Sequence, residues 1–559
     1  MRRVTAGVIA VLVAVLAAMA LFRPISMLWV DLVCAGLLAA LLRLEGRPAS
    51  APAPLAGARW AEWAEAGARA VPGPFLLGFW PQPAAPLYLT EEQLSGHVLV
   101  VGPSRSGKTA GAIAPNLLLR DPARESVVVL DVKTGPRSLW HVTAARYGSR
   151  ARLFCPLFEG SIGYNPLANI DSIGAAQRKA SLLVQNTTPR DLSGDARVYA
   201  AATMDLATLL FLHVQQDRTS GGHTVGAVYR LAMQGPAFLR DTLRSSRVAE
   251  VREQHGILSG RERRVQEAAV TGLLERLAPW ADPLVIDTTS RHFDLAAVGR
   301  EPTALYIVMP EADGSRLQPL VAWMVADLLE LLVEQADRSR LRCPVRFYLD
   351  EFRRFGYLPG LSESLPTLRE RGISLLLGVQ VLSQLEEVYG PVEARTLVGN
   401  AETKLLFRAG DLETARMLSV WLGRTTVPAV SVTTRGREQS VTVYPYVRPL
   451  MPPEDLTRIP EGAVISLAGA SRPLALWQAR YFAVPGFTVL PPPFPLCRRA
   501  QPPLAVAAPL PAPPPWRSAP RPAGGVAPRP RVNWRPLGRV RARGHAIGQD
   551  RGSKPWTSG

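Results

Sequence analysis

Two apolar runs open the chain, at residues 4–22 and 25–42, and each is long enough to cross a hydrocarbon core of roughly 30 Å as a helix. Only Arg23 and Pro24 separate them, so they predict a tight transmembrane hairpin. From residue 87 the pattern changes to short apolar, β-branched runs separated by longer amphipathic stretches. The runs are HVLVV, the strand at 126–130 of SVVVLDVKTG, TALYIVMP at 303–310, the residues before Asp350, and ISLLLGVQ. Such alternation predicts a mostly parallel sheet covered by helices on both faces, an α/β fold. Over 171–295 apolar residues instead recur at helical spacing, in DARVYAAATMDLATLLFLHV and RRVQEAAVTGLLERLAPWA. The expected organisation is therefore a membrane hairpin over 1–47 and a membrane-proximal linker over 48–86. An α/β domain follows over 87–170 and 296–486, interrupted by an all-α domain over 171–295, and a disordered Pro/Arg-rich tail occupies 487–559.

Charge sharpens this division. The chain carries a net +18, but from Cys497 onward twelve Arg or Lys face a single Asp, so +11 belongs to the tail and the body is close to neutral. The tail is too rich in proline to bury a core. Its charge suits DNA phosphates, anionic lipid headgroups or an acidic partner, and Trp516, Trp534 and Trp556 are available to stack on bases. A solvated tail without a partner fits equally well. Asp31 lies about six residues into the second apolar run, at interfacial depth or within reach of Arg23. The cysteines at 34, 155, 343 and 497 have neither disulfide-like nor metal-like spacing, which fits a reducing compartment.

The chemistry begins at GPSRSGKT, residues 102–109, set between a strand and a helix. Gly102, Pro103, Ser104, Arg105, Ser106 and Gly107 form the loop of a Walker A motif, whose backbone N–H groups turn inward around phosphate oxygens. Lys108 then reaches the β and γ phosphates of ATP, and Thr109 holds Mg²⁺ through its hydroxyl. A second signature, VRFYLDEFRRFG, ends a strand with adjacent carboxylates. Ligands sit at such strand ends in open α/β sheets. Asp350 is the expected Mg²⁺ partner, and Glu351 the group that orients and deprotonates water. Gln380, at the tip of ISLLLGVQ, is a γ-phosphate sensor or simply a capping residue.

Together these motifs resemble the TraG-like family of type IV secretion coupling proteins, hexameric, membrane-anchored, DNA-translocating ATPases. The likeness runs through GPSRSGKT, APNLL, VVVLDVKTG, YNPLANI, LDEFRRFGYLPGL, RERGISLLLGVQVLSQLEEVYG, GNAETKLLF and RPLMPPEDLTRIPEG, over roughly residues 95–485. It implies a RecA-like nucleotide-binding domain, a homohexamer in the bacterial inner membrane with its main body in the cytoplasm, and ATP with Mg²⁺ as cofactors. It implies single-stranded DNA with its relaxase, and type IV secretion channel components, as partners. A coupling protein for protein effectors only, or a nucleotide-gated docking receptor without motor activity, are the alternatives. By resemblance, Gln380 is a sensor and Arg369 an arginine finger reaching a neighbour's nucleotide; the residues alone do not separate Arg369 from Arg371. Three features depart from the family, one of them the long C-terminal extension. The family's D-P-K-G-E turn is here Asp131, Val132, Lys133, Thr134 and Gly135, and the periplasmic segment usual between the membrane helices is reduced to Arg23 and Pro24.

Arginine placement makes the topology testable. Arg2 and Arg3 precede the hairpin, and Arg43 and Arg47 follow it. Both flanks are therefore expected in the cytoplasm. Reporters fused at the N-terminus and after Leu44 should both read cytoplasmic; a periplasmic signal after Leu44 overturns the hairpin.

Overall fold

The computed structural model describes residues 56–500 apart from 189–191, 218–221, 436, 437, 486 and 488. The predicted membrane hairpin and the tail beyond residue 500 lie outside the described residues. An eleven-stranded sheet organises the body, in the order β2-β1-β13-β12-β9-β3-β8-β7-β4-β6-β5. Seven of these strands form a parallel block: β3 (Val98–Val101), β4 (Ser126–Asp131), β5 (Ala151–Phe154), β6 (Ala304–Val308), β7 (Val345–Leu349), β8 (Ile373–Val379) and β9 (Thr403–Leu406). The interior strands β3, β4, β6, β7 and β8 are buried along their whole length. Their near-continuous apolar sequences follow, because helices cover both faces of a parallel sheet.

Four antiparallel strands extend the block beyond β9: β12 (Ala463–Ala468), β13 (Leu474–Trp477), β1 (Phe75–Trp80) and β2 (Ala85–Leu89). β1 falls in the stretch expected to be a linker, and β2 begins at its end. The correction has a local cause in Asn116, buried on the helix Thr109–Leu119. Its side-chain oxygen accepts from Leu76 N at 2.7 Å, and its amide nitrogen donates to Leu76 O at 3.0 Å and Ala112 O at 2.7 Å. One side-chain amide thus satisfies both backbone groups of Leu76 and fastens β1 to that helix.

Among the described residues between β5 and β6, helices replace strands, from Ile173–Thr187 to Ala297–Arg300. The helix Asp195–Gln216 is long and apolar enough to cross a membrane, but 61% of its apolar window is buried inside the body. It is a core helix. Phe211 on it stacks on Trp323 of the cover helix Gly314–Arg338, with centroids 5.5 Å apart, and Trp280 meets Trp323 edge-on at 6.1 Å. Nearby, Lys179 pairs with buried Asp327, which also accepts from Tyr164 Oη at 2.9 Å. Helical segment and sheet therefore share one apolar core rather than meeting across a solvated seam.

Two further features depart from the sequence reading. Strands β10 (Arg424–Arg435) and β11 (Glu438–Pro449) form a separate two-stranded ribbon, and its base bonds to residue 58 through Ala58 N to Arg424 O. The stretch 489–500, expected to open the disordered tail, instead lies against the body. Glu159 N donates to Cys497 O and Arg499 N to Leu157 O, both at 2.9 Å. The Phe494 ring sits 4.9 Å from that of Trp140, whose indole N–H donates to Phe494 O. Gly160, at φ +74°, would bring a Cβ within 2.5 Å of the Phe494 ring, so the docked segment requires glycine there. Proline-rich sequence can still fold where an aromatic anchor and two backbone bonds hold it.

The anchor can be tested directly. Phe494→Ala removes an aromatic pair worth about 0.5–1.5 kcal/mol beyond its area. It should expose the Arg498 and Arg499 peptide bonds to trypsin while the body keeps a cooperative melt; unchanged protection shows that Phe494 does not hold the segment.

Candidate nucleotide-binding site

Every parallel strand that carries a motif ends on the same edge of the sheet. β3 leads into the Walker loop, β7 into Asp350, β8 into Gln380, and β4 ends at Asp131. The loop is shaped by close approaches. Gly107 has φ +101°, and a Cβ there would lie 2.3 Å from Gln478 Oε1, while one on Gly102 would lie 2.6 Å from Phe407 Cβ. Arg105 takes φ +65°, a left-handed conformation unusual for a side chain of its size.

Lys108 is buried and folds back onto its own loop, donating to Gly102 O at 2.5 Å and Pro103 O at 3.2 Å. Burial lowers its pKa, and the nearby charges of Asp350 and Glu351 oppose that. Thr109 Oγ1 donates to Asp350 Oδ2 at 2.6 Å, so the hydroxyl and carboxylate expected to hold a cation already meet. Ser106 Oγ is buried with no hydrogen-bond partner. The Lys108 ammonium beside the Thr109–Asp350 pair, in a cleft lined by the Walker loop, is a donor set that suits a phosphate with its cation.

Glu351 is the third non-glycine residue with positive φ, at φ 51° and ψ 49°. This turns the chain sharply after β7, and Glu351 N donates to Asp350 Oδ1 at 3.1 Å. The acid therefore lines the cleft instead of continuing the strand, and Arg354 Nε lies 3.5 Å from its carboxylate.

The departure at Asp131 has a clear structural outcome. Its two carboxylate oxygens accept from Lys133 N at 3.0 Å and Leu139 N at 2.7 Å, so Asp131 shapes the turn after β4. It is fully buried, and burial, reinforced by Asp350, pushes its pKa up to about 6. Lys133 faces the cleft, with Nζ 3.4 Å from Thr109 Oγ1 and 3.9 Å from Asp350 Oδ2.

The cleft, about 740 Å³, brings together Walker residues 103–105 and 107–109 with Asp350 and Glu351. That is ample for a nucleotide. Its far wall, Glu461, Arg480, Tyr481 and Phe482, comes from the antiparallel end of the sheet. Sequence reasoning missed that wall, as it missed Arg137. Gln478, which donates to Ser106 O at 3.0 Å, is separated from the loop by 372 positions, and no local motif links the two.

Gln380 and Arg369 stand apart from this cluster. Gln380 follows β8 beside the root of the loop, where Gly102 N donates to Val379 O, but it is not among the residues lining the cleft. Arg369 precedes β8, at the opposite end of the strand, and pairs with Glu402 at 3.2 Å and Glu92 at 3.5 Å. Arg371 pairs with Asp337.

Known proteins resemble this chain in sequence and in fold. Protein VirD4 of Rhizobium rhizogenes is 25% identical over 409 residues, covering 71% of this chain and 60% of its own. Conjugal transfer protein TraG of Escherichia coli is 28% identical over 433 residues, covering 69% and 65%. The chain thus spans about three fifths of the length of these relatives. Among solved structures, the conjugative coupling protein TrwB in its sulphate-bound trigonal form superposes with a TM-score of 0.59 at 16% identity, over 80% of this chain and 96% of that one. TrwB in complex with an ATP analogue gives 0.57 at 18% identity, over 76% and 94%. These likenesses establish a TrwB-like, RecA-like α/β fold. The profile of the family "Type IV secretory system Conjugative DNA transfer" matches residues 76–499, and with the motifs in family order this chain belongs to that family of TraG-like type IV coupling proteins.

Proposed function

We propose that this chain is a membrane-anchored ATPase that receives relaxase-bound single-stranded DNA and drives it, by ATP hydrolysis, into a type IV secretion channel during conjugative transfer. The observation that carries the reading is the meeting of Lys108, Thr109, Asp350 and Glu351 at one cleft in a chain of this family. The Lys108 ammonium and the Thr109–Asp350 pair fit a phosphate with its cation. TrwB has been solved with ADP and Mg²⁺ and with analogues of GTP and ATP, which supports the same ligand class here.

Bound Mg²⁺ATP supplies the scissile phosphoanhydride and the cation that screens its charge. Lys108 leaves the carbonyls of Gly102 and Pro103 for the terminal phosphates. Thr109 and Asp350 hold the cation, and Lys133 adds a second positive charge beside them. Glu351, turned into the cleft by its left-handed backbone, orients water and takes its proton. The apolar runs at 4–22 and 25–42 anchor the chain in the inner membrane, with the body in the cytoplasm.

Arg369 lies at the wrong end of β8 to serve the cleft of its own chain. Its proposed role as a finger therefore requires a neighbouring subunit, in a ring taken to be a hexamer. Such an arginine is typically worth roughly 10³ to 10⁵ in rate, and it makes turnover depend on assembly.

Lys108→Ala should lose ATP binding. Glu351→Gln should bind Mg²⁺ATP normally but hydrolyse it at least about 10²-fold more slowly. Single-stranded DNA should stimulate the wild-type rate. Turnover of Glu351→Gln at the wild-type rate removes Glu351 as the base, and turnover indifferent to DNA favours an effector-coupling or receptor role. In a separate experiment, Arg369→Ala and Lys108→Ala are each expected to be inactive alone, yet mixed rings should recover ATPase activity at interfaces where an intact arginine faces an intact lysine. Mixed rings that form and stay dead, or an active Arg369→Ala, exclude the finger.

A further inference from the structure

Walker residues and the carboxylate pair line much of the cleft, but one lining residue has had no role so far. Phe482 lines the cleft and is 65% exposed, the most exposed aromatic side chain among the described residues. Tyr481 braces it edge-to-face, with centroids 5.3 Å apart and planes at 83°. The pair is not carried on a free loop: Tyr481 N donates to Ala110 O at 3.1 Å, in the first turn after Thr109. The ring's root is therefore fixed relative to the atoms that grip phosphate.

The polar groups around it are already committed. Arg480 pairs with Glu461 at 3.0 Å and donates through Nε to Gln478 Oε1 at 3.1 Å, while Gln478 donates onward to the Walker loop at Ser106 O. What remains open beside these pairs is an apolar face in a polar cleft. We propose that Phe482, braced by Tyr481, is the base platform of the nucleotide site: it stacks the purine of a nucleoside triphosphate whose phosphates lie in the Walker loop. The inference rests on the nucleotide reading of the cleft and adds the residue that recognises the nucleoside. A platform that meets the π face leaves the base edge unread, so adenine and guanine nucleotides are held alike.

The test uses the full-length protein in detergent and two probes, the ATP analogue with a non-hydrolysable β–γ link and inorganic tripolyphosphate. Stacking on one aromatic ring is worth enough that Phe482→Ala should weaken binding of the analogue roughly tenfold or more, with the guanine analogue affected to the same extent. Tripolyphosphate has no base, so its affinity should not change. Phe482→Trp should restore tight nucleotide binding. The side chain is mostly exposed, so the melting temperature should stay near wild type. Unchanged analogue affinity in Phe482→Ala overturns the proposal, including the case in which only subunit assembly is lost, which would make Phe482 an interface residue. Loss of tripolyphosphate and analogue binding together also overturns it, because the substitution then acts on the loop. A wild-type protein that binds neither probe instead removes the nucleotide reading of the cleft.

Discussion

The structure turns on one hydrogen bond, from Thr109 Oγ1 to Asp350 Oδ2, between residues that follow strands not adjacent to each other. β8 lies between β3 and β7, so their backbones are separated by about two strand spacings, roughly 9–10 Å. The Walker loop and two short side chains close that gap only if the strands hold one register and the strand between them stays low. Register sets the first condition: Val101 pairs with Val379 and Leu349 with Leu377, so β7 ends two residues short of β3, and Asp350 continues from that step. Gly378 supplies the second, since a Cβ there would come within 3.3 Å of Asp350 Oδ1 and Leu349 O. The lone glycine inside ISLLLGVQ marks a close approach and not a weak strand.

Register is in turn fixed at the far end of the same three strands. His97, at φ +61° before β3, accepts from Leu375 N through Nδ1 and donates from Nε2 to Leu365 O. Burial lowers its pKa, which favours the neutral ring this pattern needs. Arg346, at the start of β7, donates to Ser374 Oγ at 3.0 Å and is itself held by Glu125 and Glu91. Both outer strands are thus pinned to β8 at neighbouring residues, and slippage of either would carry Thr109 or Asp350 away from its partner. The buried charges Arg346, Glu125 and Arg120 lie far from the cleft, yet they set its geometry.

What could be read from the sequence follows from how local each signal is. The Walker loop, the carboxylate pair and the strands that bear them are continuous stretches in which residue type and spacing carry the physics. Strand β1 was hidden in an Ala/Pro-rich stretch because its stability depends on Asn116, forty positions away. The cleft's far wall was hidden because it forms where β13 pairs antiparallel to both β12 and β1, a juxtaposition that no period of 2 or 3.6 encodes. The role of Asp131 was not legible in the altered turn: both of its oxygens bond backbone N–H groups there, and the neighbouring Lys133 faces the site.

The same antiparallel end connects the cleft with the helical segment. Gln478 bonds to the Walker loop and Tyr481 to the first turn behind it; further along, Arg499 donates to Asp287 Oδ2 at 2.7 Å and to Thr288 Oγ1 at 3.2 Å, on the helix Pro283–Ser290. Between these anchors Phe494 is held on Trp140, whose ring also meets Tyr306 of β6 edge-on at 5.3 Å. A displacement of residues 106–110 therefore acts on one end of a segment whose other end grips the helices. These contacts are few and partly exposed, which makes them the weakest part of that connection and places them at the low-stability end of the fold.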